Sequence, residues 1–440
     1  MRLKPRPLEI EKDTGFGEHD LFKRKDFADR LTNLVKNIED PTVFLLDAPW
    51  GDGKTTFLKQ WAGELRNAGI PVIEFNAFAR DYQADPFIAL SAEIFTQAQK
   101  VASLKEKTRA NFIESAKSLG EASLSIIAQI AIRKITSGEL SLEDVKKLGE
   151  APMDDVSAII EERLKSVEAD AELLSSFRDA LEELAKGMCT EEGMPLVLIV
   201  DELDRCRPSF AVELIEKIKH VFSVLGVHFV LSAHLPQLAK IFQNTHGLGD
   251  KEQALIYFEK FYDVRLRLPI SPSSVDTIAK RYIRHLWDEL DLTMRRPERD
   301  IRDTLEDVFQ SHHVSLRTIE KILANVTLYY AGLSSRGAYN IPFVSGICII
   351  RHCAPELYEK IASSKIAWDD INEFFDFDNW SQKDGFSLFG DYWRIIFDRL
   401  ENEPTKESKL WNFFQHNRGK AMEILPQIAA QVDNFYPSGP

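Results

Sequence analysis

Apolar residues recur along residues 20–38 at positions 27, 28, 31, 34 and 35, the spacing of one face of an α-helix, so the chain should enter its first element as an amphipathic helix. The pattern then changes. Thr42-Val-Phe-Leu-Leu-Asp47 is a short apolar run with β-branched and aromatic character, stopped by turn-forming residues, and predicts a strand. Thr55 to Leu65 reads as a helix, and Pro71-Val-Ile-Glu-Phe-Asn76, just after Gly69, as a second strand. Strand, loop, helix and strand in about 35 residues is the rhythm of a parallel sheet.

Residues 86–187 carry no strand signal and are rich in Ala, Leu, Glu and Lys at helical spacing, which predicts a long helical insertion. Strands return at Leu196-Val-Leu-Ile-Val200 and Val227-His-Phe-Val-Leu-Ser232, with a helix from Ser209 to Leu225 between them. Uninterrupted apolar runs of this kind suit strands covered on both faces. Asp263-Val-Arg-Leu-Arg-Leu268 alternates and stops at Pro269, as an edge strand would. From Ser273 onward the pattern is helical, with Gly- and Ser-rich breaks near 332–337 and 381–390.

The expected fold class is therefore α/β: a three-layer core of parallel sheet flanked by helices, with a long helical insertion and a C-terminal helical region. The expected divisions are 1–85 and 191–270 for the two parts of the core, 86–190 for the insertion, 271–334 for a helical segment, which the resemblance given below makes a lid, and 335–440 for an aromatic-rich helical end.

Composition narrows the function classes. Of 440 residues, 44% are hydrophobic and 28% charged, the balance of a chain that buries a core. The net charge of −14 opposes wholesale coating of nucleic acid, which needs a concentrated basic surface, so nucleic acid is a disfavoured partner. Arg295, Arg296 and Arg299 form a compact basic cluster, but Asp291, Glu298 and Asp300 around them suit a solvated helix end. The C-terminal aromatics, among them Phe374, Phe375, Phe377, Trp380, Phe389, Trp393 and Phe413, could stack bases; their acidic neighbours favour a small core or protein-contact surface.

Four cysteines without a C-x-x-C pair suggest a reducing compartment, and hence the cytoplasm. Cys348, His352 and Cys353 could be imagined as metal ligands, but the apolar run before them favours a packed helix. The basic N-terminus lacks the apolar stretch of a signal peptide. No run reaches the ~18–20 apolar residues that span a membrane. The nearest, Leu124 to Ile132, is short and ends in Arg133 and Lys134.

Chemistry concentrates in two segments. Ala48-Pro-Trp-Gly-Asp-Gly-Lys-Thr55 fits the phosphate-loop pattern G-x-x-x-x-G-K-[ST], with Ala48 in place of the first Gly. Trp50, Gly51, Asp52, Gly53, Lys54, Thr55 and Thr56 are the candidate nucleotide-binding residues. Gly51 and Gly53 would let successive backbone N–H groups face the phosphates. Lys54 would bridge the β- and γ-phosphates, and Thr55 would give its hydroxyl to Mg²⁺. Leu196-Val-Leu-Ile-Val-Asp201-Glu202-Leu-Asp204-Arg205 is a hydrophobic strand ending in acids. Asp201 is a candidate Mg²⁺ ligand and Glu202 a candidate base for an attacking water. Asp204 could alternatively cap the following helix. Ser232 is a candidate sensor of the γ-phosphate, although a serine there can also simply satisfy a turn. The implied cofactors are ATP and Mg²⁺.

With these motifs placed, the chain resembles the KAP family of P-loop NTPases. The resemblance is carried by Trp50 to Lys54 with the following Thr-Thr-Phe-Leu, by Phe75-Asn76-Ala77-Phe78 with Asp85-Pro86, by Asp201 to Cys206, by Tyr257-Phe-Glu-Lys260, and by Ser315-Leu-Arg317 through Asn325. Asp20-Leu-Phe-Lys-Arg24 is similar to the family's segment near the nucleotide base, with its Gly replaced. The resemblance covers about residues 15–330 and implies a core with an extra strand between the two main motifs, followed by a helical lid. It also implies that Arg317 is the sensor arginine reaching the γ-phosphate. The short apolar stretch near 124–132 implies a soluble, bacterial-type member.

Those expectations combine into an ATPase whose nucleotide cycle switches lid position and self-assembly in defence against phages or mobile elements, as a homo-oligomer or with a partner effector protein. An arginine of a neighbouring subunit, Arg205 or Arg207, could complete the site, or either could pair with local carboxylates. The alternatives are a nucleotide-gated scaffold with negligible turnover and a DNA-stimulated motor.

Overall fold

The computed structural model describes residues 10–17, 20–120, 153–191, 193–269, 278–289, 302, 305–306, 308–309, 314–332, 341–380, 388–400, 402–406, 408 and 410–434. The expectations for 124–132, for the cluster at 295, 296 and 299, and for the breaks at 333–337 and 381–387 lie outside these residues.

Five strands form one parallel sheet: β1 (Val43–Asp47), β2 (Val72–Asn76), β3 (Leu196–Asp201), β4 (Val227–Ala233) and β5 (Val264–Arg267). Their order is β2-β3-β4-β1-β5, so β4 lies between the strand that leads to the phosphate loop and the strand that ends in the acids. This is the extra strand expected between the motifs. The register sets Leu46 beside Ser232 and Asn76 beside Asp201.

Sheet position explains the sequence pattern. The central β1 and β4 are buried along their whole length and read as continuous apolar runs. The edge strands alternate: Glu74 and Asn76 of β2 are exposed, and Arg265 and Arg267 of β5 face solvent while Val264 and Leu266 turn inward.

Because successive side chains point to opposite faces, the sheet has two separate cores. On one face, Val43, Leu45, Ile73, Phe75, Leu198, Val200, Phe229 and Leu231 pack with the helices Pro86–Ala98, Pro208–His220 and Leu235–His246 and with the end of the helix Met153–Met188. On the other, Phe44, Leu46, Val197, Ile199 and Val230 pack with the helices Lys25–Asn37 and Lys54–Asn67, where Trp61 is fully buried. Asp85 caps the helix that follows it by accepting from the Phe87 N–H at 2.8 Å, with Pro86 in the first turn, where a missing N–H costs nothing.

A third core belongs to the helices after β5, including Leu316–Gly332, Ile341–Cys353, Trp368–Phe375, Leu388–Ile396 and Ala421–Asn434. The C-terminal aromatics fill it: Phe375, Phe377, Phe389, Trp393 and Phe413 are buried, and Phe343 meets Trp393 edge-on at 5.4 Å. Cys348 lies inside this core in a packed helix, its thiol pushed up to about 12 by burial. His352 on the same helix accepts from the Asn325 amide at 2.8 Å.

Candidate functional site

Past β1 the chain turns through Ala48 to Gly53 and enters the helix beginning at Lys54. Two glycines make the turn possible: Gly51 has φ +85° and Gly53 φ +82°, the left-handed region where a Cβ clashes with backbone. Gly51 is needed for a second reason. A Cβ there would lie 3.0 Å from Arg317 Cβ and from Ser315 Oγ, and the Leu316 N–H donates to the Gly51 carbonyl at 3.2 Å. The Arg317 helix therefore sits directly on the loop.

Lys54 is 9% exposed, and its ammonium donates to the Ala48 carbonyl at 2.5 Å and to that of Pro49 at 3.2 Å. Burial lowers its pKa from the ordinary lysine value, and Asp204, Asp201, Asp52 and Asp47 oppose the shift. The Thr55 hydroxyl donates to Asp201 Oδ2 at 2.7 Å, although 146 positions separate them. A hydroxyl and a carboxylate meeting in this way are hard oxygen donors of the kind Mg²⁺ takes, with phosphates and waters supplying the remaining ligands.

Glu202 follows β3 in a left-handed conformation, φ 62°. Both of its carboxylate oxygens are engaged: Arg205 donates to Oε1 at 2.5 Å and Asn76 to Oε2 at 3.1 Å. Asp204, 5% exposed, accepts on one oxygen from the Trp50 indole N–H at 2.5 Å and the His234 backbone N–H at 2.7 Å. It is not the helix cap that spacing allowed: Arg207 holds the N-cap position of Pro208–His220, without a side-chain cap bond, because the short 3₁₀ turn Leu203–Arg205 carries Asp204 toward the phosphate loop instead.

A cleft of about 260 Å³ gathers Trp50, Gly51, Gly53, Lys54, Thr55, Thr56, Asp201, Glu202 and Arg317. Two predicted residues do not line it. Asp52 turns its carbonyl to Arg24, which donates from Nη1 at 3.0 Å. Ser232 is fully buried and does not line the cleft; β4 runs on through Ala233, so the serine is inside the strand, and its Oγ has no hydrogen-bond partner among the described residues. Of the two arginines considered for a neighbouring site, Arg205 lines the cleft and pairs with Glu202 of its own chain. Arg207 is taken up by Asp81 and Gln83: its backbone N–H donates to Asp81 Oδ2 at 3.0 Å and its guanidinium to the Gln83 carbonyl at 2.9 Å.

The cleft also contains Asp204, Tyr282, Leu316 and Glu320, which spacing did not single out as ligand-facing. Tyr282 donates its hydroxyl to Glu320, and its ring lies 6.1 Å from that of Phe22. Arg24 is 5% exposed, sits 4.9 Å over the Phe22 ring, and is lowered to about 10 by burial. The signal for Arg24 and Asn76 was present, since both fall in segments that carry the family resemblance.

The family model described as the KAP family P-loop domain matches residues 24–333. The chain belongs to this family. As a KAP P-loop protein it is a nucleotide binder, and among its described residues no helix is long and apolar enough to cross a membrane. Curated proteins give no match. Among solved structures, the Aeropyrum pernix ORC2 protein is similar in its ADPNP–ADP complexes at 13% identity over 98% of this chain and 95% of that one, with a TM-score of 0.35. Its ADP form gives 12% identity, the same coverages and a TM-score of 0.34. A DNA replication initiation factor gives 12% identity over 95% of this chain and 100% of that one, with a TM-score of 0.29.

Proposed function

We propose that this KAP protein binds and hydrolyses ATP with Mg²⁺ and uses the cycle as a conformational and assembly switch, in defence against phages or mobile elements. The observation that carries the catalytic part is the 2.7 Å contact between Thr55 and Asp201, with Lys54 and Glu202 lining the same cleft.

Each residue has a separate task. Lys54 leaves the carbonyls of Ala48 and Pro49 and turns its charge to the β- and γ-phosphates, while the loop N–H groups and the start of the helix at Lys54 hold the β-phosphate. Thr55 and Asp201 would hold Mg²⁺, which would supply charge neutralisation to the phosphate oxygens. Glu202 takes a proton from water as that water attacks the γ-phosphorus and the bond to the ADP oxygen breaks. Arg317 meets the γ-phosphate and ties nucleotide state to the position of its helix. Asn76 and Arg205 hold the two Glu202 oxygens, so the base must exchange one of these partners for the water.

Those same two tethers favour a second reading, a nucleotide-gated scaffold that binds a partner protein and turns over negligibly. Steady-state ATP hydrolysis by the wild type and Glu202→Gln separates the two: equal background rates would sink the enzyme and leave the scaffold. The switch is tested by oligomeric mass with and without a non-hydrolysable ATP analogue, and the defence role by phage infection of cells carrying wild type or Lys54→Ala.

A further inference from the structure

Asp204 is a buried carboxylate that the catalytic scheme does not use. Taking a carboxylate out of water is costly unless its oxygens are satisfied. The donors here are two neutral N–H groups from distant parts of the chain, the Trp50 indole in the phosphate loop and the His234 backbone at the end of β4, and both go to Oδ2. The Trp50 ring is partly exposed and lies 5.6 Å from the His234 imidazole, so the polar edge of the indole is pinned while much of its face is free. Leu235, next in the chain, donates its N–H to Asp47 Oδ1 at 3.0 Å, and Arg265 holds the other Asp47 oxygen at 2.6 Å. The start of the phosphate-loop turn, at Asp47, and its middle, at Trp50, are thereby tied to the same β4 corner.

We infer that Asp204 is the positioning residue of the nucleotide site: its carboxylate fixes Trp50, and through it the phosphate loop, against the end of β4, and it acts by accepting hydrogen bonds rather than as a base or metal ligand. This rests on the nucleotide-binding reading. The chemistry makes a discriminating prediction. Among the described residues only one Asp204 oxygen is used, so the carboxamide of Asp204→Asn can still accept from both donors, whereas a base or a metal ligand would be lost with the charge.

The experiment measures affinity for a fluorescent ATP analogue with Mg²⁺ in the full chain. Asp204→Ala and Trp50→Phe should each weaken binding by roughly tenfold, and Asp204→Asn should stay within about threefold of the wild type. Because the two residues act through one bond, the Trp50→Phe/Asp204→Ala double variant should be no weaker than Asp204→Ala alone, where independent roles would multiply to roughly a hundredfold. Asparagine as damaging as alanine, an unaffected Trp50→Phe, or multiplying effects would each overturn the inference. If Asp204→Ala fails to fold, Asp204→Asn and Trp50→Phe carry the test.

A readout without nucleotide separates this inference from the binding reading. The Trp50 indole N–H resonance, assigned by its loss in Trp50→Phe, should lie downfield in the wild type and in Asp204→Asn and move upfield in Asp204→Ala. A wild type that binds no analogue yet follows this NMR pattern would defeat the nucleotide reading and keep the bond; an indole resonance indifferent to Asp204→Ala would defeat the bond itself.

Discussion

The Leu316 backbone N–H donates to the Gly51 carbonyl at 3.2 Å, joining the start of the Arg317 helix to the middle of the phosphate loop. A side chain at position 51 would have to adopt φ +85°, costing about 1–2 kcal/mol in the left-handed region, and its Cβ would crowd Ser315 and Arg317 at 3.0 Å. Gly51→Ala should therefore keep the fold but displace the Arg317 helix and weaken nucleotide binding. Circular dichroism and analogue affinity check this; wild-type affinity would mean the two segments do not need to meet.

Lys54→Ala and Glu202→Gln should fail differently. The first removes the charge intended for the phosphates and should reduce analogue affinity by about 100-fold, since charge-assisted bonds are the strong ones. The second should leave affinity nearly unchanged and lower turnover by about 100-fold or more, the range of a lost general base. A Glu202→Gln protein as active as the wild type would remove the glutamate from the scheme.

Asn76 offers a change in the opposite direction. Its amide holds Glu202 Oε2 at 3.1 Å while accepting from the Ala79 N–H at 2.8 Å. Asn76→Ala should free one glutamate oxygen and raise basal turnover several-fold with little effect on affinity, read from kcat against KM. Turnover that falls with unchanged affinity would show instead that the tether aims the base.

Removal of Mg²⁺ with EDTA should weaken ATP binding by the wild type, because Thr55 and Asp201 would lose the ion they share with the phosphates. Thr55→Ala and Asp201→Asn should each be weaker with Mg²⁺ present and much less sensitive to EDTA. The comparison is by calorimetry; an EDTA effect equal in wild type and both variants would place the ion elsewhere.

Much of this site was legible from residue order. The glycine spacing, Lys54-Thr55 and the acids after β3 define the cleft, because each motif is contiguous and bounded by clear strand patterns. What spacing could not reveal is which donors meet which acceptors across the fold. Asp204 looked like a helix cap until its 3₁₀ turn aimed it at Trp50, and Ser232 looked like a strand terminus until the pairing ran on to Ala233. Tyr282 bears no local mark of a ligand-facing role, and Glu320 falls within the Ser315-to-Asn325 segment of the resemblance without being singled out by spacing. They meet at the cleft through the packing of helices, 38 positions apart in the chain.

Acid should expose the coupling between Asn325 and His352. Burial first, then Lys321 and Arg351, lower the imidazole pKa from 6.5 to about 4, and only the neutral ring can accept the Asn325 amide. Below pH 6.5 the unfolded chain takes up the proton before the folded one, so the stabilisation is complete above 6.5 and is lost as pH falls toward 4. Urea unfolding at pH 7 and pH 4.5 should show a smaller acid loss for His352→Gln than for the wild type; parallel losses would assign acid sensitivity to the carboxylates alone.

The helices after β5 have an apolar interior of their own, separate from the two that sandwich the sheet. Tilting the Arg317 helix away from the phosphate loop breaks the backbone bond at Gly51 and parts Phe22 from Tyr282, while the two interiors on the faces of the sheet stay closed. Such a seam parts at lower energy than a core comes apart, so the proposed switch would act at this seam and leave the sheet's two interiors intact.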